Sequence, residues 1–597
     1  MCGILGQFRG EGQVDTDAFE QMLATLRNRG PDGEGSEVLD GGRVALGHTR
    51  LAIIDLSDAA RQPLPNEDQT VWAVVNGEIY NYRELREELI AAGHRFRSTC
   101  DSEVVVHAYE DWGDACVDRF RGIFAFGVWD GARRRLFLAR DRLGVKPLYY
   151  WAANSQFAFA SQPRALLADP RFRRDIDFPA LQHYLAYRYV PGSMAIYAGM
   201  HKLPAAHRLS FEEGRTRVER YWAPSCATKI RDPDTAVERV RDAIAEAVEL
   251  ELVSDVPVGV FLSGGIDSST VAALMARVQK PPPSFTLGFD EASSDEREYA
   301  RLAANAIGCQ PHEDVMTLED ALAAIPTFIG VYDEPFFDQS GLPTHRVSAL
   351  ARSRNVKVIL AGDGGDELFA GYRWYDEFLS RRGRRFARLR AKLLGESSAG
   401  AYFDLMGYLD GPAQKKLLVA GSGFDHLALF RGLFREDLPP ITALQWLDLH
   451  TFLVDDILTK VDHASMANGV EVRVPLLDYR VVETAFSISS DVIYARGERK
   501  ALLKRAAAPW IPAEILTARK KGFSVPLRAW MKRGLQARAS ELVRDGSLVG
   551  RGVFRADGAE AILARQSPRL TWLLLVAELW ARHWIEAEPL TELRTAS

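Results

Sequence analysis

The feature that most constrains this chain is a change of texture near residue 235. Beyond it, long helical runs separate short Val/Ile/Leu strands, "DVPVGVFL", "PSFTLGF" and "NVKVILAG". Buried strands alternating with helices specify a parallel sheet in a doubly wound α/β domain. Ahead of it, short apolar strands alternate with turns in "RVALGHTRLAIIDLS", "VWAVVNGEIYNY", "GIFAFGVWD" and "LFLARDRLGVKPLYYW". That spacing, broken by Gly, Asn and Asp, predicts an α+β domain of stacked antiparallel sheets flanked by helices. One helix is expected over Tyr82–Ala92, capped by Asn81 and stopped at Gly93. The run "HRLSFEEGRTRVERYWAPSCATKIRDPD" reads as a hairpin followed by a polar linker. A chain of 597 residues exceeds what one core usually organises. The expected division is a first domain over 1–210, a hairpin and linker over 211–235, and a second domain over 236–597.

The net charge of −6 gives no field favouring nucleic acid or an anionic membrane, and points to small-molecule partners. Cys2, Cys100, Cys116, Cys226 and Cys309 are few, odd in number and without a CxxC pair. They argue against a disulfide framework or a zinc knuckle and for a reducing, cytoplasmic setting. No charged segment followed by an apolar run opens the chain, so no secretory signal is expected. "TWLLLVAELWARHWI" is broken by Glu578 and Arg582, four apart and able to pair on a helix, and reads as a buried helix rather than a membrane span. The basic run "LSRRGRRFARLRAKLLGE" carries Arg381, Arg382, Arg384, Arg385, Arg388, Arg390 and Lys392. It reads as a solvated helix face in preference to an RNA-binding one, because Gly383 interrupts it and few aromatics interleave.

Two turns carry chemistry in the second half. "VGVFLSGGIDSSTVAALMARV" is strand, glycine turn and helix in succession, which presents backbone N–H groups and a helix N-terminus to a phosphate. Ser263, Gly264, Gly265, Asp267, Ser268 and Ser269 line it, without the lysine of a P-loop NTPase. An aspartate beside phosphates suggests a magnesium ligand instead. "VKVILAGDGGDELFAGY" again follows a strand and packs Asp363, Asp366 and Glu367 among glycines. If the two strands are neighbours, Asp267 and Asp366 share Mg2+ over a pyrophosphate at the carboxyl edge of the sheet.

"SGGIDSS" resembles the pyrophosphate loop of ATP pyrophosphatases, and with "GDGGDELFAGY" the second half looks like the synthetase domain of glutamine-dependent asparagine synthetases. The resemblance adds Leu262, Leu287 and Gly362 to the ATP-binding set and assigns Asp363 and Gly364 to the acceptor. It also places a pyrophosphate-steadying lysine in "ARKKGFSVP", on Lys521 with Lys520 as the other register, and Arg473 of "EVRVPLLD" near the same cleft. The acceptor pocket is expected in "DEPFFDQSGLPTHR".

The opening "MCGILG" resembles class II glutamine amidotransferases, which are N-terminal-nucleophile hydrolases. By that resemblance Met1 is removed, the Cys2 thiol attacks the glutamine carboxamide, and its own α-amino group acts as base. An α-amine near pKa ~7.7–8.0 is partly neutral at cellular pH, whereas a lysine near ~10.4 needs heavy perturbation. "NGEIYNY" matches the oxyanion segment, with the Asn76 side chain and Gly77 N–H as donors and Glu78 on the glutamine. Arg50 is implied for the α-carboxylate, which its planar fork meets bidentately, and Asp101 for the α-ammonium.

The resemblance runs from Met1 to about Trp530. It departs at Thr49, where relatives often carry Arg, at Cys100, where they carry Ser, and at Gln162, where they carry Glu. The implied reaction is Mg-ATP-dependent amidation of a carboxylate, aspartate first. Cell-wall, sugar and secondary-metabolite acceptors stay open, as do a homodimeric assembly and, less favoured, a scaffold or RNA-binding protein.

Overall fold

The structure, a computed structural model, describes residues 2–153, 155–279, 281–383, 397–420, 423–517 and 525–590. Met1, the basic run from 384 to 392, and Lys520 with Lys521 lie outside the described residues.

The first half folds as two stacked six-stranded antiparallel sheets. One runs in the order Met200–Lys202, Tyr149–Ala153, Gln156–Ala160, Gly3–Arg9, Val44–Arg50, Gly33–Leu39. The other runs Arg215–Arg220, His207–Glu212, Arg135–Arg140, Gly122–Asp130, Val71–Ile79, Leu64–Pro65. Alternate residues of the facing strands, Ile4, Val44, Leu46 and Phe159 from one and Val74, Ala125, Leu136 and Leu138 from the other, form the core between them. The period of two along each strand puts them there. The expected hairpin pairs His207–Glu212 with Arg215–Arg220 and extends the second sheet.

The helix Tyr82–Ala92 forms and ends at Gly93 in the left-handed region, as expected. Asn81 does not cap it. Its Oδ1 accepts from Arg121 N at 2.8 Å and its Nδ2 donates to Arg119 O at 3.0 Å, so a tertiary contact takes the side chain away from the helix end.

The second half is built on a five-stranded parallel sheet in the order Gln310–Met316, Pro283–Phe289, Val258–Phe261, Val358–Leu360, Glu471–Arg473. The order reverses between Val258–Phe261 and Val358–Leu360, which makes their carboxyl ends the topological switch point where doubly wound sheets bind ligands. The apolar helix Pro568–Trp580 is buried, with Glu578 paired to Arg582 at 2.6 Å. Among the described residues no helix is long and apolar enough to cross a membrane.

Candidate active sites

Cys2 lies at the head of the strand Gly3–Arg9, in the first sheet, and its backbone N–H donates to Asn76 Oδ1 in the second at 3.0 Å. Asn76 is fully buried, and its Nδ2 has no hydrogen-bond partner among the described residues. A buried donor left unpaired costs about 1–3 kcal/mol, so this amide is poised for an acceptor that the folded chain does not supply. Gly77 follows with φ +141°, and a Cβ there would meet Ile123 O at 2.0 Å, so only glycine fits the strand at this point.

Burial pushes the Cys2 thiol above its ordinary range; Glu78 adds to this, while the Leu51 N–H and Arg50 pull it back. The resting Cys2 side chain is therefore held as the protonated thiol. Burial, then Asp101 and Glu471, also drive the Glu78 carboxyl up against the pull of Arg473. Asp101 Oδ2 accepts from Ile79 N at 2.8 Å, yet burial pushes its carboxyl up to about 6. Arg50 Nη1 donates to Ser57 O at 2.8 Å and Nη2 to Asp55 O, so its fork is oriented by main chain. The structure thus brings Asn76 against Cys2 by a hydrogen bond, sets Arg50 and Glu78 where their charges act on the Cys2 thiol, and sets Asp101 where its charge acts on Glu78.

At the switch point, Gly264 takes φ +77° and the helix Ile266–Val278 starts behind Gly265. Ser263 Oγ and Ser268 Oγ lie 3.1 Å apart, and Ser269 Oγ is buried without a hydrogen bond among the described residues. The two turns touch: a Cβ on Gly362 would lie 2.6 Å from Ser268 N, and one on Gly365 would lie 2.6 Å from Asp267 Cγ. Leu262 and Leu287 bury their side chains in the core at 2% and 3% exposure, and their main chain is tied into the sheet: Leu262 N donates to Phe285 O at 3.0 Å, Thr286 Oγ1 donates to Leu262 O at 2.6 Å, and Leu287 pairs with Asp314.

Sequence reasoning missed two lysines here. Lys500 Nζ binds Asp267 Oδ2 and stands 2.8 Å from Asp366 Oδ1, so the two aspartates converge on one cation. Burial alone would lower the Lys500 ammonium, but Asp267 and Asp366 raise it above its ordinary value. Lys460 lies 3.7 Å from Asp338 Oδ2. Burial raises the Asp363 carboxyl, and Lys460 is the charge that pulls it back. Two carboxylates already sharing one cation fit a divalent ion bound between them.

Arg473 corrects an expectation. It is fully buried, donates through Nη1 to Glu251 O and Val253 O at 2.6 and 2.7 Å, and turns Nη2 toward Glu78 Oε1 at 3.5 Å. Its shortest ion pair is to Glu471 Oε1, at 2.5 Å from Nε, with Glu78 the next carboxylate its charge acts on. Arg29 was also missed: its Nε donates to Cys2 O at 3.1 Å, and Nη1 and Nη2 grip Asp462 at 2.7 and 3.1 Å. Of "DEPFFDQSGLPTHR", Asp333 bonds Arg164 and Glu334 accepts from Tyr149, both in the first half, while Asp338 faces Lys460.

Two family models match the chain. "Glutamine amidotransferase domain" covers residues 1–222 and "Asparagine synthase" covers 239–582. Asparagine synthetase [glutamine-hydrolyzing] 1 of Bacillus subtilis (strain 168) is 32% identical, over 91% of this chain and 90% of that protein. A putative asparagine synthetase [glutamine-hydrolyzing] of Mycobacterium tuberculosis (strain ATCC 25618 / H37Rv) is 33% identical over 98% of each. Amidase chyE of Penicillium rubens is 29% identical over 95% of this chain and 96% of that protein. With both domains present in order and relatives matched along nearly their full length, the chain belongs to the glutamine-hydrolysing asparagine synthetase family.

Proposed function

We propose that the chain converts aspartate, glutamine and ATP into asparagine, glutamate, AMP and pyrophosphate, with residues 1–210 as the glutaminase, 211–235 as hairpin and linker, and 236–597 as the synthetase. Once Met1 is removed, the Cys2 amine is held by Asn76 Oδ1 and takes the thiol proton as sulfur attacks the carboxamide carbon. Asn76 Nδ2 and Gly77 N–H receive the oxyanion, while Arg50, Glu78 and Asp101 orient the amino-acid end. Collapse expels ammonia and leaves a Cys2 thioester, which water hydrolyses to glutamate.

In the synthetase half, the main chain of Leu262 and Leu287 and the turn from Ser263 to Ser269 with Gly362 cradle ATP. Asp267 and Asp366 would hold Mg2+, which when bound supplies charge neutralisation across the phosphate oxygens. Lys500 would follow the departing pyrophosphate, with Lys521 as a second cation, and Lys460, whose charge acts on Asp363, would serve the acceptor side with Asp363 and Gly364. Aspartate attacks the α-phosphorus to form an acyl-adenylate, and ammonia then displaces AMP.

Passage inside the protein keeps ammonia from being protonated in bulk water. Between the halves lies a small cavity of about 20 Å3, room for one water-sized molecule, lined by Tyr80, Ile123 and Leu477 and by the charged Asp141, Arg142, Glu251 and Asp478. Leu477 also packs against Gly364. The strongest support for coupled sites is the buried bridge from Cys2 O through Arg29 to Asp462.

The test follows amide-15N glutamine, Mg-ATP and aspartate by mass spectrometry, with Cys2→Ala beside the wild type. Labelled asparagine that vanishes in the variant and returns unlabelled on adding ammonia is the expected result. Glutamine hydrolysis without AMP or asparagine rejects aspartate and moves the search to other carboxylates.

A further inference from the structure

Away from both sites, Glu67, His94, His107 and Glu110 each bring one ligand atom within 4.8 Å of the other three. They come from three places in the fold: Glu67 precedes the strand Val71–Ile79, His94 follows the helix Tyr82–Ala92, and His107 and Glu110 are i, i+3 on the helix Glu103–Trp112. Such spacing puts the last two on one helix face.

The separations have a meaning. His94 Nδ1 stands 3.3 Å from Glu67 Oε1 and 3.9 Å from Glu110 Oε2, and His107 Nδ1 stands 3.5 Å from both Glu67 Oε2 and Glu110 Oε2. The two imidazoles face different oxygens of Glu67; four N and O donors placed tetrahedrally at about 2.0–2.1 Å from a zinc ion are about 3.3–3.4 Å apart, so donors now within 4.8 Å of one another would draw in around it.

The outer atoms are arranged to match. Both histidines turn Nδ1 inward and present Nε2 to a carboxylate, His94 to Asp111 at 3.2 Å and His107 to Glu103 at 3.7 Å. Such outer carboxylates set the tautomer and ring orientation of metal-bound imidazoles. The spare oxygen of Glu110 accepts from Asn66 Nδ2 at 2.7 Å, and Glu67 Oε1 accepts from Arg95 N at 2.7 Å. His107 is 1% exposed, yet neither of its ring nitrogens makes a hydrogen bond among the described residues. Its Nδ1 instead faces carboxylate oxygens of Glu67 and Glu110 at 3.5 Å, too long for a good hydrogen bond, with room for a cation to draw the three together.

We propose that Glu67, His94, His107 and Glu110 form a closed, structural site for a zinc-class divalent cation in the amidotransferase domain. Two carboxylates and two neutral imidazoles neutralise a dication, and N/O sets of this kind suit Zn2+. The bound ion ties the helix that begins two residues after Asp101 to the segment leading into the Asn76 strand.

The test uses full-length, tag-free protein stripped with a chelator and then titrated with ZnCl2 by calorimetry, with metal counted by mass spectrometry. One Zn2+ per chain is expected, together with a raised unfolding temperature and, with Co2+ in its place, the intense visible absorption of a tetrahedral site. His107→Ala tests the buried ligand. Because it can disturb folding, His94→Ala and Glu110→Gln, nearer the surface, carry the decision, with affinity expected to fall at least about 100-fold in each. Absence of stoichiometric binding in the stripped wild type, or binding unchanged in both of those variants, overturns the site and leaves an ion-pair cluster around a protonated His107.

Discussion

Arg29 grips both carboxylate oxygens of Asp462, 433 residues further along the chain, at 2.7 and 3.1 Å, with both side chains at 1–2% exposure. Burial opposes the ionised form of Asp462, but Arg29 and then Lys146 overcome it and hold the carboxyl below its usual range. Removing one partner of a buried pair costs about 3–5 kcal/mol when the other charge is left alone, an upper bound here because Lys146 stays 3.9 Å from Asp462 Oδ1. Arg29→Ala is therefore expected to lower denaturant stability by up to that amount. Because Arg29 also holds Cys2 O, glutamine-dependent synthesis should fall further than ammonia-dependent synthesis, a ratio read from labelled and unlabelled product.

Asn76 has one side-chain atom engaged and one waiting. Asn76→Ala is expected to lower kcat for glutamine hydrolysis about 100- to 1,000-fold, the usual effect of deleting an oxyanion donor. Asn76→Asp keeps the acceptor for Cys2 N but has no N–H, and should be no better. Steady-state glutamate release measures both, and an unchanged kcat in either removes Asn76 from the oxyanion site.

Asp101 sets a pH limit. Burial pushes its carboxyl up to about 6, and only the ionised form attracts an α-ammonium. As pH falls below the α-amine range near ~8, kcat/KM for glutamine should drop about tenfold per unit, and below about 6 about a hundredfold per unit. In Asp101→Asn the whole profile is lower and the steeper limb is gone. A wild-type profile that never steepens rejects the assignment.

Lys500 neutralises Asp267 and Asp366 together. With Lys500→Met, pyrophosphate release from ATP is expected to fall at least about 100-fold, from the lost cation at the departing phosphates. Glutamine hydrolysis is unaffected, since Lys500 belongs to the other site. Pyrophosphate release at the wild-type rate would show that the lysine serves only to hold the empty site together.

Local structure followed from local residues. The strand, glycine turn and helix around Ser263–Ser269, the hairpin His207–Arg220, the helix stop at Gly93 and the Glu578–Arg582 pair all arise from residues a few positions apart. There, backbone sterics and the periods of 2 and 3.6 act without help from the rest of the chain. The paired sites were legible because Cys2, "NGE", "SGGIDSS" and "GDGGDE" each concentrate unusual chemistry in one short run. Tertiary structure decided which long cations meet which carboxylates. Lys500 reaches Asp267, 233 residues away, Arg29 reaches Asp462, Arg473 turns to Glu78 rather than to the pyrophosphate turn, and Asn81 leaves its helix for Arg119 and Arg121. Lysine and arginine have flexible stems and no local preference strong enough to name a partner; burial of the surfaces between them does that, because a charge removed from water must find its opposite.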